Sequence, residues 1–553
     1  MKPIDAVLHI LREEGVDRVF GNPGTTELPL IDALAGVSDM DYMLAVHELT
    51  AVSMADGYAR ATRRPSFVNL HVAAGVANGL LGMLDALRSR TPMVITAGQQ
   101  DRRHLVQDPM LSGDLVGLAT PAVKHAVEVQ HARDLPVLLR RAFALARTPP
   151  EGPVFLSIPM DLLAEETEVD VLGRSTLHGP GVATGIGEAA EVLAAARRPA
   201  IVAGDAVGRD GVIEELTELA EALGATVYHQ PMFDGVDFPG THPLSAGMLP
   251  PTNVGIRTAL AAHDLVFVVG CHAFMPHHYT PGPAVPEGTT VVQLDTDQAE
   301  IGRNFAVRAG LVGALGPTLT ALTDTVGRVP DAASRLEAAR VLTETARADV
   351  DAEALAAYGD SPLDPLAAAH AIAAGLPVDA VVVEEAITVG LKLRRVLRPA
   401  RPRSYVHTVG GGLGWGIGAA IGTRLGAPDR PVVAVLGDGC TMFGIQGLWS
   451  AARYNVPVAF VVMNNGEYRT LKETLDNVGG TAARLRRYPG LDLAPPTVDW
   501  TAAGKFFGIA ATKVTSAKEL RDTIAGVGEL AGPLLVDVPI RSHAVEHGYG
   551  GGS

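Results

Sequence analysis

The sequence predicts an α/β protein with three domains, each built on a doubly wound parallel sheet. Runs of Val, Ile and Leu about five to eight residues long alternate along the chain with helix-length segments. Continuous apolar runs of this length are typical of strands buried on both faces, as in parallel sheets covered by helices. A chain of 553 residues is also too long for one hydrophobic core, and it fits three or four domains.

Three blocks of alternating elements place the predicted domains at residues 1–180, 181–345 and 346–553. The strand candidates are 16–20, 66–70, 93–97 and 154–158 in the first block, 200–203, 225–229, 265–269 and 290–294 in the second, and 380–383, 432–436 and 458–463 in the third. Helices are predicted at 74–87, 212–223 and 444–454, an exposed helical connector at 331–360, and a disordered Gly-rich tail at 548–553. The first and third blocks resemble each other loosely.

The composition favours a soluble cytoplasmic protein. The net charge is -16 and the basic residues form no long block, so neither nucleic acid nor an anionic membrane surface is an expected partner. No apolar run approaches the roughly 18 residues of a membrane span, and residues 1–14 carry no targeting pattern. The only cysteines are Cys271 and Cys440, and no disulfide between them is expected in a reducing compartment.

Two polar strand ends in the third block predict a binding site for a diphosphate. One predicted strand runs into Gly437, Asp438 and Gly439, and the next ends at Asn464 and Asn465, 27 residues after Asp438. The carboxyl ends of neighbouring parallel strands meet at one edge of a sheet, and the intervening helix directs its N-terminal amides to that edge. Glycine lets the backbone approach a phosphate closely, so this edge suits a diphosphate.

The same strand ends supply a predicted metal site. Asp438 and the side-chain oxygen of Asn465 are hard ligands, and the backbone carbonyl of Glu467 could complete the protein share. The expected ion is Mg²⁺, with Ca²⁺ as the alternative, because a sparse protein set leaves positions for phosphate and water. By itself, Gly-Asp-Gly after a strand is a common turn. Together, the two strand ends resemble the thiamine-diphosphate binding signature.

A glutamate in the first block is predicted to act on the same cofactor. Enzymes that use thiamine diphosphate need a carboxyl group at N1′ of the aminopyrimidine, which lets the 4′-imine take the proton from C2 of the thiazolium. The segment from His47 and Glu48 through Gly57 to Arg60 resembles the family helix whose leading glutamate has this role. An isolated glutamate would instead be an ordinary first-turn residue favoured by the helix dipole. The small residues behind Glu48 favour the catalytic interpretation.

Three segments of the first block extend this resemblance. They are GNPGTTELP at 21–29, NLHVAAGVANG at 69–79 and TPMVITAGQQ at 91–100. With them, nearly the whole chain resembles benzoylformate decarboxylase and its relatives among the thiamine-dependent 2-oxo-acid decarboxylases. The resemblance makes the three domains pyrimidine-binding, middle and diphosphate-binding. It also implies that His71 and His277 handle protons in the active site, and leaves the division of their roles open.

The resemblance also implies residues that bind substrate and cofactor. Thr25 stands where the family has a serine that contacts the substrate carboxylate, and its hydroxyl could donate the same hydrogen bond. His407 and Thr474 replace aromatic side chains, which predicts a more polar pocket. Leu413 resembles the bulky residue that holds the cofactor rings in a V shape. The complete cofactor-binding set is Glu48, Thr388, Gly411, Leu413, Gly437, Asp438, Gly439 and Asn465.

Three arginines follow the metal motif in a long segment, 470–499. Arg484, Arg486 and Arg487 predict either a cationic lid that selects a second anionic group on the substrate or a solvated arginine face.

These features predict non-oxidative decarboxylation of a small 2-oxo acid, benzoylformate-like, to an aldehyde and CO₂, with carboligation as a side activity. The alternative is an acetolactate-synthase-like transferase. A flavin-containing oxidase and a non-catalytic relative are less favoured, the latter because each motif is intact. The resemblance implies at least a homodimer, and usually a homotetramer, because the family binds its cofactor between the first domain of one subunit and the third domain of its partner. The native 2-oxo acid stays open.

Overall fold

Three parallel sheets of six strands, each flanked by helices, confirm the predicted α/β fold. The computed structural model describes residues 1–176 and 178–543, and the predicted disordered tail, 548–553, lies outside them. The central strands are buried along their length because helices cover both faces of each sheet. Both cysteines are buried and free. Within the described ranges, no helix has the length and apolar character needed to cross a bilayer.

The first domain contains a sheet whose strands and flanking helices position Glu48 and His71. Its strands are β1 Arg18–Gly21, β2 Asp41–Leu44, β3 Ser66–Leu70, β4 Met93–Gln99, β5 His125–Glu128 and β6 Pro153–Pro159, in the order β2-β1-β3-β4-β6-β5. Its helices are α1 Pro3–Glu13, α2 Leu28–Ala35, α3 Glu48–Thr62, α4 Val72–Arg88, α5 Leu115–Ala119, α6 Leu135–Arg147 and α7 Met160–Ala164. All four strands predicted from apolar runs are present, the first beginning two residues later than predicted.

The middle domain contains β7 Pro199–Ala203, β8 Thr226–His229, β9 Ser245–Met248, β10 Leu265–Val269, β11 Thr290–Asp295 and β12 Ala309–Val312, in the order β12-β11-β10-β7-β8-β9. Its helices are α8 Ile186–Ala194, α9 Asp205–Asp210, α10 Ile213–Leu223, α11 Asn253–Leu260 and α12 Leu315–Val326. The predicted helical connector is α13 Ala332–Ala356, in which only Ala332 and Ala354 are buried. The predicted domain boundary at 345/346 therefore falls inside a helix.

The third domain contains β13 Val381–Glu385, β14 Tyr405–His407, β15 Val432–Gly437, β16 Val458–Asn464, β17 Ala510–Lys513 and β18 Leu534–Pro539, in the order β14-β13-β15-β16-β18-β17. Its helices are α14 Pro365–Gly375, α15 Ile387–Val396, α16 Trp415–Gly426, α17 Asp438–Gly444, α18 Gly447–Arg453, α19 Arg469–Val478, α20 Thr481–Leu485, α21 Trp500–Phe506 and α22 Ala517–Ala525. The helix predicted at 444–454 is α18, which begins three residues later than predicted, and a further short helix, α17, precedes it and begins at Asp438 itself.

The first and third sheets share one topology. Counted from the first strand of each domain, both have the order 2-1-3-4-6-5, whereas the middle sheet has the order 3-2-1-4-5-6 typical of dinucleotide-binding folds. The loose resemblance between the first and third blocks of sequence thus reflects a repeated architecture.

Helices α3 and α16 join the first and third domains with backbone against backbone. A β-carbon on Gly57 would lie 2.0 Å from the carbonyl oxygen of Ala419, and one on Gly422 would lie 1.8 Å from that of Met54. Such distances exclude any side chain, so glycine is required at both positions. This contact fixes the two domains relative to each other within one chain.

Candidate active site

Asp438 links the two strand ends that the sequence predicts to bind metal and diphosphate. Its Oδ1 accepts the amide hydrogen of Gly439 at 2.8 Å, and its Oδ2 accepts those of Asn465 and Gly466 at 3.1 and 2.6 Å. Burial raises the pKa of Asp438 to about 6, although the amide hydrogen bonds act in the opposite direction. The parallel pairing of β15 with β16 therefore places Asp438 beside Asn465 at one sheet edge.

The predicted metal donors fit a sparse oxygen site. The carboxylate of Glu467 accepts from Lys472 Nζ and from the amide of His543, so its backbone carbonyl is the oxygen left for a metal. The side-chain oxygen of Asn465 accepts the Glu467 amide at 3.0 Å. Among the described residues, no cluster of three His, Cys, Asp or Glu side chains could hold a metal. One carboxylate, one amide oxygen and one carbonyl suit Mg²⁺, which takes its other ligands from phosphate and water.

Two buried carboxyl groups hold the loop that carries Leu413. Asp85 Oδ1 accepts the Gly412 amide hydrogen at 3.0 Å, and the carboxyl group of Glu385 accepts those of Gly414 and Gly416 at 2.5 and 2.7 Å. Burial raises the pKa of Asp85 to about 7 and that of Glu385 to about 8. Leu413 is half-buried between the two anchored amides. Sequence reasoning missed both acids, because their partners come from distant parts of the chain.

Gly411 is the exposed member of this loop. Its φ is +77°, which favours glycine, and a β-carbon there would meet nothing within 4 Å.

Glu48 lies buried at the start of α3, 6% exposed. Asn22 donates to its Oε1 at 3.2 Å and Asn78 donates to its Oε2 at 3.0 Å. His47 caps the helix by accepting the Leu49 amide hydrogen on its Nδ1 at 3.2 Å. Two amide side chains therefore fix the carboxyl group while keeping it out of bulk water.

His71 contacts a buried glutamate that is not among the site residues predicted from the sequence. Glu27 is 1% exposed, and its Oε2 lies 2.8 Å from His71 Nδ1. The carboxylate also accepts the amide hydrogens of Gly24 and Gly98, both at 2.9 Å, and the hydroxyl of Thr26 at 2.7 Å. Glu27 is thus a positioning residue for His71. Glu27 lies in the segment GNPGTTELP at 21–29, and the resemblance of this segment to the family could have identified it as a candidate.

The predicted substrate residues have different local surroundings. Thr25 is exposed at the start of a short 3₁₀ turn. His277 is exposed, with its ring 4.3 Å from that of His278. Thr474 donates its hydroxyl to the Thr470 carbonyl at 2.8 Å, and Thr470 in turn lies 2.9 Å from the hydroxyl of Thr388. These assignments stay predictions.

The surroundings of His407 differ from those of a residue in the wall of an open pocket. Its ring is buried, with Nδ1 2.9 Å from the carbonyl oxygen of Glu384, and its own carbonyl accepts from Arg60 at 2.8 Å. Burial lowers the pKa of His407 to about 4, so the ring is neutral near pH 7. Its role as a substrate residue also stays a prediction.

The three arginines proposed as a lid, Arg484, Arg486 and Arg487, are all exposed near α20. Arg484 donates to the carbonyl of Gly479 at 3.1 Å and to the hydroxyl of Thr481 at 3.0 Å. This arrangement is compatible with both the lid and the solvated face.

The two halves of the candidate site lie apart within one chain. Gly75 on α4 approaches Glu48, with only 3.4 Å between its would-be β-carbon and Oε1, whereas Asp85 on the same helix binds the loop of Leu413. Ten residues of α-helix separate these two contacts by about 15 Å. The structure thus groups Glu48 with His71 at one end of α4, and the Leu413 loop lies at the other end.

Comparisons with known proteins identify the family of this chain. Three family models match: the thiamine pyrophosphate enzyme N-terminal TPP binding domain over residues 1–118, its central domain over 186–322 and its C-terminal TPP binding domain over 388–538. Benzoylformate decarboxylase from Pseudomonas aeruginosa is 35% identical over 545 residues, covering 97% of this chain and 98% of the relative.

Two further proteins are similar to this chain over most of its length. A solved structure of the thiamine diphosphate-dependent 4-hydroxybenzoylformate decarboxylase from Rhodococcus jostii RHA1 matches with a TM-score of 0.87 at 30% identity, covering 98% of this chain and 99% of the other. The acetolactate synthase large subunit of Parasynechococcus marenigrum is 28% identical and covers 97% of this chain and 87% of the relative. This chain therefore belongs to the thiamine-diphosphate-dependent 2-oxo-acid decarboxylases, in the family of benzoylformate decarboxylase.

Proposed function

We propose that this enzyme decarboxylates a benzoylformate-like 2-oxo acid to an aldehyde and CO₂ without oxidation, using thiamine diphosphate and Mg²⁺, with carboligation as a side activity. The observation that carries the proposal is the hydrogen-bonded pair of strand ends, Asp438 to Asn465 and Gly466, in a chain that is 35% identical to a benzoylformate decarboxylase. The two free cysteines are compatible with a cytoplasmic location.

The third domain would hold the cofactor and its metal. Asp438, the side-chain oxygen of Asn465 and the carbonyl of Glu467 would bind Mg²⁺ or, alternatively, Ca²⁺. Gly437, Gly439, Thr388 and Gly411 would line the cofactor site, and Leu413 would support its rings. When bound, thiamine diphosphate supplies the electron sink for loss of CO₂.

The first domain would handle protons. Glu48, fixed by Asn22 and Asn78, would bind the aminopyrimidine nitrogen N1′ through its shielded carboxyl group. His71, oriented by Glu27, would exchange a proton with the substrate, and His277 would do so from the middle domain. Thr25 would donate a hydrogen bond to the substrate carboxylate, with His407 and Thr474 as further predicted substrate residues.

A second copy of the chain would complete each site. The separation of about 15 Å between the Glu48 contact and the Leu413 loop on α4 supports at least a homodimer, and the family favours a homotetramer. Exposed apolar side chains on both halves support the same conclusion, namely Val46, Leu84, Met442 and Phe443.

Mixed subunits test this assembly. Chains with Glu48→Gln and chains with Asp438→Ala, each expected to have little activity alone, would be denatured together, refolded and assayed. If a site takes Glu48 from one chain and Asp438 from the other, random pairing leaves about a quarter of the sites intact. No recovery of activity from correctly refolded hybrids contradicts a shared site.

Product analysis tests the reaction. The holoenzyme is incubated with benzoylformate or with pyruvate, each with and without an added acceptor aldehyde, and the products are separated by chromatography. Released benzaldehyde and CO₂ without acceptor support the decarboxylase. An acetolactate-synthase-like transferase, favoured by the 28% identical relative, would instead give only ligated product from pyruvate.

A further inference from the structure

Lys472 is a buried cation without a role in the proposed mechanism. It lies on α19, just after residues 464–468, which we call the metal loop. Its Nζ donates to Glu467 Oε2 and to Asp492 Oδ1, both at 2.5 Å. A charge that is buried in a protein needs such partners, so the two carboxylates account for the position of Nζ. Because both are already bound to Lys472, this cation is a poor candidate for binding an anionic substrate group directly.

The helix that carries Lys472 has its charged face turned inward. In the single chain Arg469 and Lys472 are 4% and 5% exposed, whereas Leu471 and Val478 are 51% and 73% exposed. An amphipathic helix of a globular domain normally buries its apolar face. The position of α19 against the domain therefore depends on polar contacts. Arg469 donates to the carbonyl of Arg541 at 2.7 Å, and Lys472 makes the two ion pairs described above.

Glu467 connects Lys472 with the proposed metal site. The side chain of Glu467 is buried, and its Oε1 accepts the amide hydrogen of His543, so both carboxylate oxygens have partners. The backbone of Glu467 also pairs antiparallel with that of Asp492, the second partner of Lys472. The carbonyl of the same residue is the oxygen that would bind Mg²⁺. Contacts that fix the side chain of a ligand residue also restrain the direction of the ligand atom.

We propose that Lys472 is a positioning residue for the metal site. Through its ion pair with Glu467 it would restrain the metal loop so that the carbonyl at position 467 stays directed at Mg²⁺. This inference rests on the proposed function, because it takes Asp438, Asn465 and the Glu467 carbonyl as the metal donors. Lys472 would act without touching the metal or the substrate, so its loss should affect metal affinity more than the chemical step.

Calorimetric titration of Mg²⁺ tests this role. Mg²⁺ is added to the full chain in the presence of excess thiamine diphosphate, and the heats of a titration without protein are subtracted. Lys472→Met removes the ammonium group and keeps an unbranched side chain. We expect its Kd for Mg²⁺ to rise about 10- to 100-fold, as for other partners of metal ligands, with a smaller fall in kcat at saturating Mg²⁺. Unchanged Mg²⁺ affinity in the folded variant overturns the proposal.

Further variants test whether Lys472 acts through Glu467. Glu467→Gln keeps the backbone carbonyl and removes the charge that Lys472 binds, so it should weaken Mg²⁺ binding as much as Lys472→Met does. The double variant should bind Mg²⁺ as the single variants do, because both changes break one contact. It also leaves neither charge buried alone, so its affinity decides the question if Lys472→Met does not fold. Losses of affinity that add in the double variant contradict the proposed path.

Control variants separate this inference from the proposed function. Asp492→Asn changes the other partner of Lys472, whose side chain is 59% exposed compared with 4% for Glu467, so it should weaken Mg²⁺ binding less than Glu467→Gln does. Lys518→Met, exposed on α22, should have no effect. Asp438→Ala is titrated in parallel. If it loses Mg²⁺ while Lys472→Met does not, only the role of Lys472 is wrong. If it binds Mg²⁺ like the wild type, the proposed metal site is wrong, and the role of Lys472 with it.

Discussion

The first and third domains have the same strand order but opposite chemistry at corresponding strand ends. In each domain the third strand in sequence leads directly into a polar residue: β3 into His71 and β15, through Gly437, into Asp438. His71 faces a buried glutamate, whereas Asp438 faces backbone amides of the next strand end. One scaffold therefore places an imidazole beside a carboxyl group at one strand end and a carboxylate held by backbone amides at the other. The chemistry that each edge offers depends on these few terminal residues and not on the topology.

The largest effect is expected from removing the predicted metal ligand of the third domain. Asp438→Ala should lower activity about a thousandfold or more and abolish Mg²⁺-dependent binding of thiamine diphosphate, because the proposed metal site loses its carboxylate ligand. Calorimetric titration with cofactor and Mg²⁺ measures this. Asp429→Ala, an exposed aspartate just before the same strand, is the control. Unchanged cofactor affinity in Asp438→Ala would remove this residue from the site.

In the first domain, loss of the carboxyl group should affect chemistry more than binding. Glu48→Gln keeps the shape and the buried position but cannot exchange a proton, so kcat should fall about 10²–10⁴-fold with the cofactor affinity nearly unchanged. Steady-state kinetics and calorimetry separate the two effects. Glu214→Gln, exposed on α10, is the matched control. A Glu48→Gln enzyme with wild-type kcat would refute the assigned role.

A smaller effect is expected from the residue that orients His71. Glu27→Gln replaces an acceptor of four hydrogen bonds with a group that must donate at one end, so either His71 or a backbone amide loses its partner. We expect kcat to fall about ten- to a hundredfold, as for other carboxylates that orient a histidine, with cofactor affinity retained. Circular dichroism checks the fold. Full activity of a folded variant would show that His71 needs no orienting partner.

The smallest effect concerns stability and pH at the loop of Leu413. Burial raises the pKa of Asp85 to about 7, above its unfolded value of about 3.9. The folded chain therefore loses stability as the pH rises between these values, and the full loss is present above pH 7. Asp85→Asn keeps the acceptor for Gly412 and removes the ionisation, so its melting temperature should exceed that of the wild type by a wider margin at pH 8 than at pH 5.

Calorimetry at both pH values measures the margin, and Asp32→Asn on the exposed face of α2 should show none. An equal margin at pH 5 and pH 8 would mean that the Asp85 carboxyl titrates near its ordinary pKa.

The central strands could be predicted because burial on both faces leaves continuous apolar runs, as in β3, β4 and β10. The edge strands could not. For example, β5 (His125–Glu128) and β17 (Ala510–Lys513) are largely half-exposed, so their polar residues hide the strand pattern. Pairing with a neighbouring strand, which sequence periodicity does not report, makes them strands.

The residues of the candidate site also fall into two groups, those that could be predicted from the sequence and those that could not. Asp438, Asn465 and Glu48 follow predicted strands or open predicted helices, so their positions could be inferred locally. Asp85 and Glu385 could not, because each matters only through an amide of the loop 410–416 that lies far along the chain. Glu27 lay inside a recognised segment, but its contact with His71 depends on how two strand ends meet.

The glycine contact between α3 and α16 has a consequence for how such an enzyme can change. With no side chains between the two helices, there is no layer that can slide, and the first and third domains of one chain must move as a rigid unit. Access to the polar strand ends then depends on the surface loops. New substrate preferences can arise by substitutions in those loops, whereas the glycine positions at the contact between α3 and α16 tolerate almost no substitution.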